Sequence, residues 1–302
     1  MGSIKTKNSS AMNTAGALCG CAALFYLFSR LLLTFAASQI IAAKVPGASL
    51  SNPAGVEPAQ VALLKLIVNT LALSAPFLLL CIRPLPRAAA FKKFSWALVC
   101  KLFLFFWGSM FFGNTLASLL SRFEGSNASR IHLPPSGLAL VLAYCAVCLL
   151  PAIGEELLFR GLLQGWLLPF GALPAILGQA ILFSLLHGRV SACIAALFGG
   201  FALGYCAFRT HSLLPGILFH LYNNNLAFIS QYASQFWDPA IEQFIKLVLL
   251  FAPLFLLFVP SMHKKQAPVH LPTQFWGWIF RCPGWLCSVS VLAVFCLIET
   301  YL

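Results

Sequence analysis

The chain has 302 residues, of which 60% are hydrophobic and only 9% are charged, and its formal net charge is +12. Soluble domains carry about 25% charged residues, so this composition argues against a water-soluble fold. The Lys and Arg residues are scattered through short polar segments and form no continuous basic arm, which argues against a nucleic-acid partner.

Apolar runs of about 20 residues recur along the chain, and an α-helix needs about that length to cross the hydrocarbon layer of a bilayer. We therefore predict an all-α, polytopic integral membrane protein with about eight or nine transmembrane helices. In chain order the predicted helices are 15–43, 61–82, 96–120, 137–168, 172–187, 190–208, 213–233, 244–259 and 284–302.

The first apolar run, residues 15–43, follows Lys5 and Lys7 and contains Arg30. A run of this kind is either a signal peptide or a first membrane helix. It is longer than the apolar region of a signal peptide, so we interpret it as a retained helix. Most of the eleven cysteines also lie inside apolar runs, where Cys behaves as a small hydrophobic residue, and we predict no structural disulfide.

Basic residues between the predicted helices indicate the orientation. The N-terminal segment, the segment 83–93 and the segment 264–281 are rich in Lys and Arg and fall on the same side of the membrane. By the positive-inside rule we predict a cytoplasmic N-terminus and an extracytoplasmic loop at residues 45–60. We expect a multi-pass protein of a cell membrane, and the short loops favour a bacterial plasma membrane.

Two adjacent acidic residues, Glu155 and Glu156, interrupt the fourth predicted helix. An ionisable residue inside a membrane is costly and indicates function. Residues four apart share a helical face, so we expect Glu156 to pair with Arg160 and Glu155 to point elsewhere, free for chemistry. The alternative is structural, with both acids sharing Arg160 to hold helices together.

Polar residues on the next helices complete a candidate site. If the chain turns at residues 169–171, Glu155 and His187 both lie about 20 Å from the turn and meet at one depth. Further on, His220 and Asn224 are four residues apart and share one helical face. A carboxylate with a histidine can activate water, and a histidine with an amide can supply two hydrogen-bond donors.

The three motifs in this order resemble those of the CAAX protease and bacteriocin-processing (CPBP, or ABI) family, which includes the type II CAAX prenyl endopeptidases. They are Glu155-Glu156-x-x-x-Arg160, Phe183-x-x-x-His187 and His220-x-x-x-Asn224. The resemblance covers residues 137–233 and divides the chain into N-terminal helices (1–135), a protease-like core (136–233) and C-terminal helices (234–302).

The resemblance implies an intramembrane endopeptidase that acts near the C-terminus of a membrane-associated peptide or protein, for which a prenylated CAAX-type C-terminus is one candidate. In that case Glu155 and His187 activate water, while His220 and Asn224 stabilise the oxyanion. Glu156 and Arg160 are implied to be supporting residues.

A metal-dependent mechanism is the alternative, in which Glu155, His187 and His220 would bind Zn²⁺. We favour the metal-free mechanism, because the compact His-Glu-x-x-His helix of common zinc proteases is absent from the sequence. Two other functions stay open at this point: a non-proteolytic membrane scaffold or bacteriocin-immunity protein of the same fold, and a proton-coupled transporter.

Overall fold

A computed structural model describes residues 2–83, 93–124, 133–258 and 282–301. Within them there are nine helical segments and no strand. The helices are α1 (Gly2–Lys44), α2 (Pro58–Ser74), α3 (Trp96–Leu120), α4 (Gly137–Phe170), α5 (Ala172–Leu185), α6 (Val190–Thr210), α7 (Leu214–Phe236), α8 (Pro239–Phe251) and α9 (Pro283–Tyr301).

Three of these helices continue as a short 3₁₀ segment: α2 over Ala75–Cys81, α3 over Ser121–Phe123 and α8 over Ala252–Phe258. Seven of the nine described helices are long and apolar enough to cross a membrane. The other two are α5, which is apolar but only 14 residues long, and α7, which carries His220 and a run of three asparagines. These features confirm the predicted all-α, polytopic membrane fold.

The first and last helices pack side by side and run parallel. Ala17 of α1 lies against Gly284 at the start of α9, and Gly20 lies against Ser288 one turn further on. The first and last of an odd number of alternating crossings point the same way, so this contact agrees equally with seven and with nine crossings. Of the basic residues that predict the orientation, Arg87, Lys92 and the segment 264–281 lie outside the described residues.

The buried centre of the bundle lies around the second half of α4. Leu158, Phe159, Leu162 and Trp166 are almost completely buried, and they pack with Tyr26 of α1 and with neighbouring residues of α5 and α9. Large apolar side chains on the outer faces of α1, α3 and α8 are exposed, as expected for surfaces that contact lipid acyl chains. The polar residues of α4 therefore point into a core, away from this outer surface.

Candidate functional site

The helix that carries the two acidic residues is irregular. Cys145–Leu149 and Glu156–Leu163 have π-helical hydrogen bonding, and they flank a short α-helical stretch that contains Pro151. Proline has no backbone N–H and cannot continue the hydrogen-bond ladder, so carbonyl groups in the preceding turn lose their partners. Such π-helical turns occur frequently at functional sites.

Two asparagine side chains from neighbouring helices bind the carbonyl groups of this turn. Asn69 of α2 donates to the carbonyl of Ala146 at 3.0 Å, and Asn224 of α7 donates to the carbonyl of Cys148 at 3.3 Å. A carbonyl left without a donor in an apolar core costs free energy, so these amides stabilise the irregular helix. Asn224 is thereby positioned at the edge of the site.

The predicted ion pair between Glu156 and Arg160 forms in the core. Arg160 Nη1 donates to Glu156 Oε1 at 2.8 Å, and both side chains have no exposed surface. Arg160 also donates to the carbonyl of Gly200 at 3.2 Å, and its guanidinium carbon lies 4.4 Å from the centre of the Phe183 ring. The ion pair and the carbonyl contact offset part of the cost of burying these charges, while Glu156 Oε2 and Arg160 Nε are buried without a hydrogen-bond partner among the described residues.

Two glutamines that the sequence interpretation did not consider extend this buried polar row. Gln164, one turn after Arg160, donates to the carbonyl of Gly204 at 2.9 Å, and Gln179 of α5 donates to the carbonyl of Gly200 at 2.9 Å. The spacing of 156, 160 and 164 could have indicated a single polar stripe on α4, because residues four apart share a face.

His220 lies between the two glutamates. Its Nδ1 is 3.0 Å from Glu156 Oε1, and its Nε2 is 3.7 Å from Glu155 Oε2. Glu155 differs from Glu156 in accessibility, because 15% of its side-chain surface is exposed and none of the Glu156 side chain is. The expected division between a paired Glu156 and an accessible Glu155 therefore agrees with the structure, but both carboxylates also meet the same imidazole.

A glycine on α7 allows this close approach. A Cβ atom added at Gly216, one turn before His220, would lie 2.9 Å from Glu156 Oε2. That oxygen is buried and has no hydrogen-bond partner among the described residues. Gly216 thus lets α7 approach α4 closely enough for His220 to reach Glu156, a requirement that was not visible in the sequence.

His187 lies just after the end of α5. Helices α4 and α5 form the hairpin considered above, because α4 ends in a 3₁₀ turn over Leu168–Phe170 and Gly171 has a φ of 129°. The Nδ1 atom of His187 is 3.0 Å from the carbonyl oxygen of Phe183, while the side chain is otherwise exposed. A carbonyl accepts only, so Nδ1 carries the proton and Nε2 is left with a free lone pair when the ring is neutral.

The ring of Phe183 stands between the two histidines, with its centre 4.8 Å from that of His187 and 6.0 Å from that of His220. The structure therefore brings Glu155, His187 and His220 to one place, with His220 in contact with Glu155 and His187 further out beside the Phe183 ring.

The loop after His187 is held by a carboxylate from another helix. Glu124, just after α3, accepts hydrogen bonds from the backbone and hydroxyl of Ser191 and from the guanidinium of Arg189. Burial raises the pKa of Glu124, but the hydrogen bonds from Ser191 and Arg189 outweigh that effect and hold the pKa below its usual value. In addition, Val190 N–H donates to the hydroxyl of Thr300 at 3.0 Å.

The ligands of the alternative zinc mechanism, Glu155, His187 and His220, are not grouped around one point. In the described part of the chain, no three His, Cys, Asp or Glu side chains are grouped to hold a metal ion. Both nitrogens of His220 face carboxylate oxygens, so only Nε2 of His187 is left with a free lone pair. A zinc site needs imidazole lone pairs and a carboxylate converging on one point, and these side chains do not provide that arrangement.

A separate cavity of about 380 Å³ lies between α3, α7 and the end of α8. Its lining includes Trp107, Asn114 and Tyr222 but none of the six predicted site residues. The ionisable cluster is therefore distinct from this cavity.

Fold and site together define a multi-pass α-helical membrane protein in which buried Glu156, Arg160 and His220 lie beside the partly exposed Glu155, with His187 further out. Residues 137–226 match the family model described as Rce1-like, type II CAAX prenyl endopeptidase. The match covers under a third of the chain and contains all six predicted site residues, and it confirms the resemblance to the CPBP family. No curated protein and no solved structure matches the chain.

Proposed function

We propose that the chain is an intramembrane endopeptidase that hydrolyses a peptide bond near the C-terminus of a membrane-associated substrate. The observation that carries this proposal is the partly exposed carboxylate of Glu155, with His220 3.7 Å away, beside a fully buried Glu156–Arg160 ion pair. A site that served only to hold helices together would have no need for the accessible second carboxylate.

In the proposed reaction Glu155 is the general base. It takes a proton from a water molecule, and the hydroxide attacks the scissile carbonyl carbon to form a tetrahedral intermediate. His187 assists through Nε2, which is free because Nδ1 donates to the Phe183 carbonyl. When the C–N bond breaks, the proton held by Glu155 passes to the leaving amine. Proton transfer of this kind contributes about 10²- to 10⁴-fold to a rate.

His220 and Asn224 are the proposed donors to the oxyanion. His220 Nδ1 donates to Glu156, which leaves Nε2–H for the developing negative charge when the ring is an imidazolium. In that form the charges of Glu155, Glu156, Arg160 and His220 sum to zero, which favours burial of the whole cluster. Asn224 uses one amide hydrogen on Cys148, and its second hydrogen can reach a substrate oxygen.

Glu156 and Arg160 are proposed to position His220. Glu156 Oε1 accepts from both Arg160 Nη1 and His220 Nδ1, so the arginine fixes the carboxylate and the carboxylate fixes the ring. This arrangement parallels the role of a buried carboxylate that orients a catalytic histidine in other hydrolases.

The substrate proposed is a peptide or membrane protein with a CAAX-type C-terminus, with or without a prenyl group. The family description supports the CAAX class. We further propose the predicted division at residues 136 and 233, a cytoplasmic N-terminus and a bacterial plasma membrane. The basic segments and short loops support these assignments.

The test is peptide cleavage by the purified full chain in lipid vesicles. The substrates are fluorogenic CAAX peptides with and without a farnesyl group, and the variants are Glu155→Gln and His187→Ala. The control is Glu242→Gln on α8, whose carboxylate is similarly exposed at 19% but pairs with Lys246 instead of a histidine. We expect kcat to fall at least about 100-fold in both site variants and to stay unchanged in the control.

Full activity of Glu155→Gln would refute the proposal. If wild type cleaves neither peptide, nor other membrane-protein substrates, the non-proteolytic scaffold becomes the better explanation. pH-gradient-driven flux through the wild-type protein would instead favour the transporter. A chelator titration on the wild-type protein checks the metal-free mechanism, for which we expect no loss of cleavage.

A further inference from the structure

The turn that carries His187 lies between two helices and belongs to neither. His187 comes after the last residue of α5, Leu185, and α6 begins three residues later at Val190. The N–H of His187 donates to the carbonyl of Ser184, and its carbonyl accepts from the N–H of Arg189, both at 3.0 Å. These bonds are local, so the position of the turn depends on how the start of α6 is held.

The start of α6 has no cap of its own. A helix leaves its first four N–H groups without a partner inside the helix, and a side chain just before the helix usually accepts one of them. The residue at that position is Arg189, whose side chain can only donate and makes no capping bond. Partners for the N–H groups of Val190 and Ser191 come from two other helices.

Glu124, just after α3, caps α6 from outside. Its Oε1 accepts from the N–H of Ser191 at 2.6 Å, and its Oε2 accepts from the Ser191 hydroxyl at 2.7 Å and from Arg189 Nη2 at 3.0 Å. Only 2% of the side-chain surface of Glu124 is exposed. A carboxylate at a helix N-terminus is stabilised by the helix dipole, and its bonds to charged donors are strong. Glu124 therefore ties the end of the turn to α3.

Thr300 holds the same turn from α9. Its buried hydroxyl accepts from the N–H of Val190 at 3.0 Å and donates to the carbonyl of Cys296 at 2.7 Å. The helix also lies directly against the turn, because a Cβ added at Gly188 would be 3.7 Å from the Cβ of Glu299. The first two N–H groups of α6 are thus fixed by side chains from α3 and α9.

We propose that Glu124 and Thr300 are positioning residues for His187, which they hold in place through the start of α6. The inference rests on the proposed function, in which His187 assists the attack of water on the substrate. Both residues lie outside residues 137–226, which match the family model. Helices outside the matched region therefore complete the site.

The hydrogen bond between His187 and Phe183 is what the turn has to preserve. Nδ1 is 3.0 Å from the Phe183 carbonyl oxygen, and such bonds extend to about 3.2 Å, so a shift of the turn by about 1 Å breaks it. Without that bond the proton is shared between Nδ1 and Nε2, and Nε2 no longer keeps its free lone pair. Misplacement of a catalytic group by about 1 Å can cost about 100-fold in rate.

The experiment is a double-variant cycle, measured as cleavage of fluorogenic CAAX peptides by the purified full chain in lipid vesicles. Glu124→Gln should lower kcat about 10- to 100-fold with little change in KM, because the amide has one oxygen where the carboxylate uses two. Thr300→Val should have a smaller effect, since it removes one neutral hydrogen bond. In a His187→Ala background, Glu124→Gln should lower kcat no further, because its effect passes through the imidazole. Ser191→Ala, which removes only one bond to Glu124, replaces the Gln variant if that variant does not fold.

A substitution elsewhere between α3 and α6 controls for a general loosening of these helices. A Cβ added at Gly113 of α3 would lie 3.0 Å from the Cβ of Phe198 and 3.3 Å from the Cα of Ala195, both on α6. Gly113→Ala therefore disturbs the same pair of helices away from the turn and should keep kcat. The inference is overturned if Gly113→Ala loses as much kcat as Glu124→Gln. It is also overturned if Glu124→Gln has the same proportional effect on kcat with and without His187.

Solid-state NMR of the protein with ¹⁵N-labelled histidine tests the positioning without any need for activity. The signals of His187 are identified by their loss in His187→Ala. At a pH where the ring is neutral, wild type should show Nδ1 protonated and Nε2 unprotonated, and Glu124→Gln should show a mixture of both tautomers. An unchanged single tautomer in both Glu124→Gln and Thr300→Val would refute the inference. If His187→Ala cleaves as fast as wild type, or wild type does not cleave, the proposed function fails, and the tautomer alone decides whether Glu124 positions the ring.

Discussion

Removing one partner of the buried Glu156–Arg160 pair should destabilise the protein more than removing both. At the observed separation of 2.8 Å two unit charges attract by about 6 kcal/mol at an effective dielectric constant of about 20. Desolvation of the two groups offsets much of that gain, but removal of Arg160 leaves the buried Glu156 charge with only the contact to His220. We therefore expect Arg160→Met to cost about 3–5 kcal/mol, and Glu156→Gln/Arg160→Met to recover at least half of that cost.

The assay is SDS titration of the purified protein in mixed micelles, which measures the free energy of unfolding for wild type, both single variants and the double variant. The control cycle uses Glu242 and Lys246, which have the same spacing but are partly exposed and should couple by less than about 1 kcal/mol. Additive losses in the Glu156–Arg160 cycle would refute the reasoning, because additivity means that the two groups do not interact.

Two further predictions concern the groups around the site. Gly216→Ala should lower the unfolding temperature and disturb His220, because the added Cβ would lie 2.9 Å from the buried Glu156 Oε2. The control is Gly108→Ala on α3, where no atom lies within 4 Å of the added Cβ, and its unfolding temperature should be unchanged or higher. Glu124→Gln should lower the unfolding temperature at neutral pH, because the lowered pKa of Glu124 means that its ionised carboxylate stabilises the fold. The difference in unfolding temperature between wild type and variant should shrink below about pH 4, where the carboxylate becomes protonated, and a difference that does not change with pH would contradict this prediction.

Local properties of the sequence were sufficient for the helices and for one ion pair. Apolar runs long enough to cross a bilayer predicted the nine described segments, and α3 begins and ends at the predicted residues. The spacing of Glu156 and Arg160 predicted their contact, because residues four apart on a helix are neighbours whatever the rest of the fold does. The predicted helices 137–168 and 172–187 left residues 169–171 for a turn, and the structure has a turn there, with Gly171 at a φ of 129°.

The contacts between helices could not be derived in the same way. The sequence assigned Glu155 to His187 and His220 to Asn224, whereas the structure places His220 against both glutamates, with Asn224 on the carbonyl of Cys148. Which face of α7 meets α4 depends on the close approach at Gly216 and on the irregular turn before Pro151, and neither has a periodic pattern.

The sequence by itself therefore determined the class of protein, the order of the helices and the polar residues available for chemistry. Only the tertiary structure decided which of those residues meet, and it added Asn69, Gln164 and Gln179 to the surroundings of the site. The physical reason is that hydrophobicity and helical spacing are properties of a single segment. The pairing of buried polar groups depends instead on the distance and rotation between helices far apart in the chain.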